Sequence, residues 1–121
     1  EEVDHGMILF DYIIERDGNV ELKQIEAPQY NFGEPLEIFE QIYSHERSVT
    51  ESIECVASMS EEECDMAARH FINWYIQEQV EEEASVDDII KKMKMFGQDK
   101  SILYHIDIEL GKREYSQHKY S

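Results

Sequence analysis

Glu2 and His5 stand three residues apart, and three further glutamates, Glu46, Glu78 and Glu82, occupy positions where helical spacing calls for apolar side chains. Residues three or four apart share one face of a helix, so Glu2 and His5 present a carboxylate and an imidazole on adjacent turns, with Leu9 continuing the spacing. Further along, the stripe Ile42, Val49, Ile53, Val56 runs through Glu46. The stripe Phe71, Tyr75, Ser85, Ile89, Met93 runs through Glu78 and Glu82, with Glu81 one step around the same face. A desolvated carboxylate is costly unless it is paired or bound to metal, and inward acids from several helices repel one another. A cation is the simplest remedy. Carboxylate oxygens joined by one imidazole are the ligand set of di-iron sites inside four-helix bundles, where Glu-x-x-His supplies two ligands from one helix. Periodicity alone leaves a second placement open, because a helix phase shifted by one residue turns Glu46, Glu78 and Glu82 to solvent.

The elements that must position these residues read as helices. Residues 1–17 carry apolar positions at helical spacing and end at Gly18, a residue suited to the left-handed conformation that stops a helix. Residues 19–33 lose the periodicity and are punctuated by Pro28 and Gly33, yet Val20, Leu22 and Ile25 let them lie along a surface as a long ordered connection. Pro35 suits a first helical position and opens a second helix over 36–57. Ser60 with Glu63 spells a capping box, which predicts that a third helix starts there, runs to Phe96 and stops at Gly97. Residues 101–113 predict a short last helix ahead of a polar tail from Glu114 to Ser121. The expected architecture is all-α with one long crossover.

Composition narrows the function classes. A chain of 121 residues, 41% hydrophobic, fits one compact domain over 1–121. No apolar run approaches the roughly 20 residues of a membrane span, and the N-terminus lacks a signal-peptide layout, so a cytoplasmic protein is expected. A net charge of −17 repels nucleic acid and anionic membranes and attracts cations. Cys55 and Cys64 lack a nearby His at ligand spacing and read as partly buried free thiols in a reducing compartment. Glu1 stands inside what reads as a helix already under way, so the sequence is expected to be part of a longer chain.

In these residues and their surroundings the sequence resembles the bacterial-type non-haem ferritins over nearly its whole length. Residues 1–29 look like the second half of a ferritin's second helix and the start of its crossover. PLEIFEQIYSHERSVTESI is similar to the third helix, FINWYIQEQVEEEASVDDII to the fourth, and SILYHIDIELGKR to the short fifth. The resemblance implies a ferritin-like four-helix bundle with a long crossover and a short fifth helix, of which the first helix and half of the second are absent. It implies that Glu2 bridges two irons, that His5 ligates the first, and that Glu46 and Glu82 ligate the second. Glu1, Glu78 and Glu81 would form a neighbouring third iron site, with Gln79 supporting the ligands from behind and Trp74 close by. Bacterioferritins place a haem-ligating Met after the bridging Glu and a second Glu-x-x-His on the fourth helix. Here Val3 follows Glu2 and the run from Gln79 to Glu82 replaces that motif, which favours the non-haem kind.

The activity so implied is ferroxidation. Iron(II) enters through acidic pores, two ions bind the carboxylate cluster, oxygen or hydrogen peroxide takes their electrons, and iron(III) mineral collects inside a 24-subunit cage of identical chains. Two alternatives remain: a truncated relative that binds iron or assembles without efficient oxidation, and a helical module without metal. His45, His70, His105 and His118 read as surface or packing residues, and Tyr12, Phe71 and Tyr75 as bundle core rather than redox relay.

Overall fold

A computed structural model of the chain describes residues 1–97 and 99–114. Five helices follow in order: α1 Glu2–Glu15, α2 Pro35–Glu62, α3 Met66–Phe71, α4 Asn73–Phe96 and α5 Lys100–Gly111. Among the described residues there is no strand. No helix among them is long and apolar enough to cross a membrane. The expected order of helices and the long crossover are both present. The polar tail beyond Glu114, with His118, lies outside the described residues.

Local chemistry sets the helix ends, not always where the sequence suggested. α1 closes with Asp17, not Gly18, in the left-handed conformation (φ 58°). The amides of Gly18 and Asp17 donate back to the carbonyls of Ile13 and Ile14 at 2.8 and 3.0 Å, the pattern of a Schellman cap. Gly18 is needed for space, since a Cβ there would lie 2.7 Å from Ile13 Cγ2. α2 opens on Pro35 behind a capping box made by Glu34 and Glu37. A side chain at Gly33 (φ 76°) would run into the Glu37 carboxylate.

The capping box read at Ser60 and Glu63 is not formed. Ser60 lies inside α2, where its hydroxyl donates to the Val56 carbonyl at 2.8 Å, because the helix offers it a nearer acceptor than a cap would. The true break follows at Cys64 (φ 56°), and Asp65 caps α3 by accepting from the Ala68 amide at 3.0 Å. The expected third helix is divided at Ile72 into α3 and α4, and Gly97 (φ 69°) ends α4 as expected.

α2 and α4 run antiparallel and make the principal contact, with Lys94 beside Glu40 at one end and Ile72 against the Ile53–Ala57 region at the other. Ile53, Ala57, Ile72 and Tyr75 form the central cluster, joined by Leu9 of α1 and by Val49, Trp74 and Ile76. Burying such side chains is worth about 1.5–3 kcal/mol each. The buried stripe of α4 continues through Gln79, Val86, Ile90 and Met93, one residue out of phase with the Ser85 and Ile89 read from the sequence. On α2 the buried stripe runs through Ile53, Ala57 and Ser60, and Ile42 and Val56 are exposed. Val3, Met7, Phe10 and Ile14, at steps of four, three and four along α1, form an exposed apolar face. Cys55 and Cys64 are free, as expected, but exposed.

Candidate metal centre

His5 is wholly buried under the start of α1. Its ring packs against Trp74 (centroids 5.5 Å) and Tyr75 (5.2 Å), so α4 fixes its orientation. Its two nitrogens point at carboxylates from two helices, Nδ1 lying 3.6 Å from Glu2 Oε1 and Nε2 3.7 Å from Glu78 Oε2. Glu1, His5 and Glu78 each offer a ligand atom within 4.8 Å of one another, close enough to hold one metal ion. Glu78 is nearly buried while Glu1 and Glu2 are exposed, so the cluster has one rigid wall and one accessible side.

Glu46 enters from α2 and is held by a hydrogen-bonded network. Gln79, 2% exposed, directs Nε2 at Glu46 Oε2 and at the Glu46 carbonyl, each at 3.2 Å, and at Thr50 Oγ1 at 3.3 Å. The Thr50 hydroxyl donates to Glu83 Oε1 at 2.6 Å, and Arg47 Nη1 stands 3.6 Å from Glu83 Oε2. A buried amide must satisfy its donors, and here that requirement fixes the carboxylate beside it.

Electrostatics tie the remaining acids together. Burial holds the Glu82 carboxyl above the ordinary carboxylate range, reinforced by the charges of Glu1 and Glu46, opposed by Arg113, and reinforced again by Glu2. Burial likewise raises the Tyr75 phenol, with Glu2 and then Glu46 adding to the effect. Carboxylates from α1, α2 and α4 thus converge on one region, where the charges of Glu1, Glu46 and Glu2 disfavour ionisation of Glu82. A cation of two or three positive charges relieves that repulsion, and the donor set of hard oxygens with one imidazole suits iron.

Of the residues singled out in the sequence, Glu1, Glu2, His5, Glu46, Glu78 and Glu82 meet here with Gln79 behind Glu46. Glu46, Glu78 and Glu82 are all partly buried rather than turned to solvent. Glu81 is exposed, and among the described residues the ligand cluster pairs Glu1 and Glu78 with His5 rather than with Glu81. His45, His70 and His105 lie on the surface, as expected. Thr50, Glu83 and Tyr75 were not assigned to the site by sequence. Thr50 and Glu83 each follow a site residue by four positions, Glu46 and Gln79, and that spacing is the signal that could have found them.

A family model described as a ferritin-like domain matches residues 1–96. The bacterial non-heme ferritin of Bacteroides fragilis is 37% identical over 113 residues, covering 93% of this chain and 70% of the relative. That of Campylobacter jejuni is 37% identical over 107 residues, covering 88% and 64%. Among solved structures, an open-pore ferritin from the archaeon Archaeoglobus fulgidus superposes with a TM-score of 0.88 at 43% identity, covering 91% of this chain and 68% of that one.

Proposed function

This chain belongs to the ferritin family, and on that premise we propose that it stores iron: it binds iron(II), oxidises it at a paired-iron centre and retains iron(III) mineral inside a cage of 24 identical chains, as expected from the resemblance. The observation that carries the reading is the convergence of buried His5 with Glu1 and Glu78 in a region shared with Glu46 and Glu82.

Iron is substrate and cargo here. The exposed carboxylates of Glu1 and Glu2 receive iron(II) on the accessible side, and His5 with Glu78 supplies the rigid wall. Glu2, beside His5 and in the electrostatic reach of both Glu82 and Tyr75, lies between the two halves of the cluster and suits a bridging role. Glu46, locked by Gln79, and Glu82 serve the second ion. Glu82 holds its proton more tightly than an ordinary carboxylate, so protons compete with iron for it as pH falls. Hard oxygen ligands favour iron(III) over iron(II), which promotes electron loss to oxygen or hydrogen peroxide.

Binding without efficient oxidation is the alternative, favoured by the 72% exposure of the Glu2 side chain, since a weakly held bridging ligand slows a two-ion reaction. Iron loading in air followed by native mass spectrometry and electron microscopy separates the two. Hollow particles that fill with dense cores support storage. Stoichiometric binding with no growing core supports the alternative.

A further inference from the structure

The Thr50 hydroxyl has a single hydrogen and two acceptors within reach. Its Oγ1 lies 3.1 Å from the Glu46 carbonyl, one turn back along α2, and 2.6 Å from Glu83 Oε1 on α4. An ionised carboxylate is the stronger acceptor and its contact is the shorter, so the hydrogen goes to Glu83. Arg47 Nη1, 3.6 Å from Glu83 Oε2, engages the other oxygen of that carboxylate and leaves Oε1 to Thr50. Packing does not account for Glu83. Its side chain is only 18% exposed, and an apolar residue would be cheaper to place there than a carboxylate.

We propose that Glu83 is a positioning residue for the metal centre: by taking the Thr50 hydrogen it decides which end of the Gln79 amide faces Glu46. This rests on the reading of Glu46 as a ligand of the second ion. Three oxygens surround Gln79 Nε2, the carbonyl and Oε2 of Glu46 at 3.2 Å each and Thr50 Oγ1 at 3.3 Å. With the hydroxyl hydrogen committed to Glu83, none of the three can donate. Only the N–H end of the amide then fits among them, because its oxygen in the same place would meet three other oxygens.

Without Glu83 the Thr50 hydrogen is released. It can turn to the Glu46 carbonyl, as hydroxyls inside helices do, and so take an acceptor from Gln79. It can equally donate to the oxygen of a Gln79 amide turned end for end, which gives the reversed amide the partner it lacked. Reversal sets that oxygen against the Glu46 carboxylate and pushes it away. In the native arrangement Gln79 engages Glu46 Oε2 and leaves Oε1 to an ion, so the carboxylate is presented in one direction. The first ion sits with His5 in this reading, and the loss falls on the second ion alone.

The test is anaerobic calorimetric titration of the assembled full chain with iron(II), with circular dichroism on each sample. Glu83→Leu is expected to keep the affinity for the first ion and to weaken the second about tenfold, the scale of losing support behind a ligand. Glu83→Ala carries the same expectation if the leucine variant does not fold. Glu83→Gln retains an oxygen that accepts from Thr50 and should recover most of the affinity. Thr50→Val should match Glu83→Leu, and the double variant should be no weaker than the worse single one, as for groups acting through one another. An unchanged second affinity in Glu83→Leu, or equal weakening of both ions, overturns the proposal and leaves the storage reading standing. A loss in Glu83→Gln as large as in Glu83→Leu overturns it too, because the effect would then be one of charge. A wild type that takes up no second iron(II) removes both.

Discussion

Gln79 directs its side-chain amide at both the carbonyl and the carboxylate of Glu46, each at 3.2 Å, so α4 holds the backbone and the reactive end of one α2 residue together. A flexible glutamate thereby becomes a preorganised donor. Losing such support behind a ligand lowers metal affinity by roughly 10- to 100-fold. Gln79→Leu is accordingly expected to weaken binding of the second iron(II) by about tenfold or more, with little change in helicity. Anaerobic titration calorimetry with circular dichroism on the same sample checks it.

Thr50 links that amide to Glu83 through a 2.6 Å bond. Thr50→Val keeps the shape but strips a partly buried carboxylate of its donor and Gln79 of an acceptor, at a stability cost of about 1–3 kcal/mol. Urea unfolding is the measurement. A midpoint unchanged from wild type would show the link to be incidental.

Glu82 gives a pH-dependent signature in the metal-free protein. Its folded pKa is raised, so the native state binds the proton more tightly than the unfolded chain does. Below the unfolded value both states are protonated and the group costs nothing. Above the raised folded value both are ionised and the full penalty falls on the native state. Glu82→Gln should therefore raise the melting temperature of the metal-free protein at neutral pH, and the gain should shrink as pH falls through the carboxylate range. Addition of iron(II) should reverse the order if Glu82 serves the proposed site, because wild type alone retains the carboxylate. Thermal melts across pH, with and without metal, test both signs.

Asp65 caps α3 and also pairs with Arg16 at 2.8 Å, whereas Arg16, among the described residues, has the exposed pair and a ring contact. Asp65→Ala should cost about 0.5–2 kcal/mol through the lost cap. Arg16→Ala should cost less, about 0–1 kcal/mol, as surface pairs do. Equal losses in denaturant unfolding would place the energy in the ion pair instead.

Much of this site was legible because its residues break a pattern. Acids in an apolar stripe expose Glu46, Glu78 and Glu82, and Glu-x-x-His marks Glu2 and His5. Pro35 and Gly97 were readable because proline and glycine leave few backbone choices. The misreadings share a cause: competing partners that only the fold supplies. Ser60 fitted a cap by sequence, but the Val56 carbonyl was within reach inside an unbroken helix. Gln79 is more deeply buried than Glu78 or Glu82, because a neutral amide that satisfies its hydrogens there costs less to bury than a carboxylate. Tyr75 read as ordinary core, and it is core. Only the approach of Glu2 and Glu46 from other helices makes it part of the centre.

The central claim is that His5 and Glu46, from different helices, belong to one oxidising iron centre. The initial rate of oxygen consumption after adding one pair of iron(II) ions per chain tests it most directly, in wild type, His5→Ala and Glu46→Ala. The account predicts fast consumption in the wild type and a steep loss in each variant, with the double variant no slower than the worse single one. Unchanged initial rates in both single variants would contradict it.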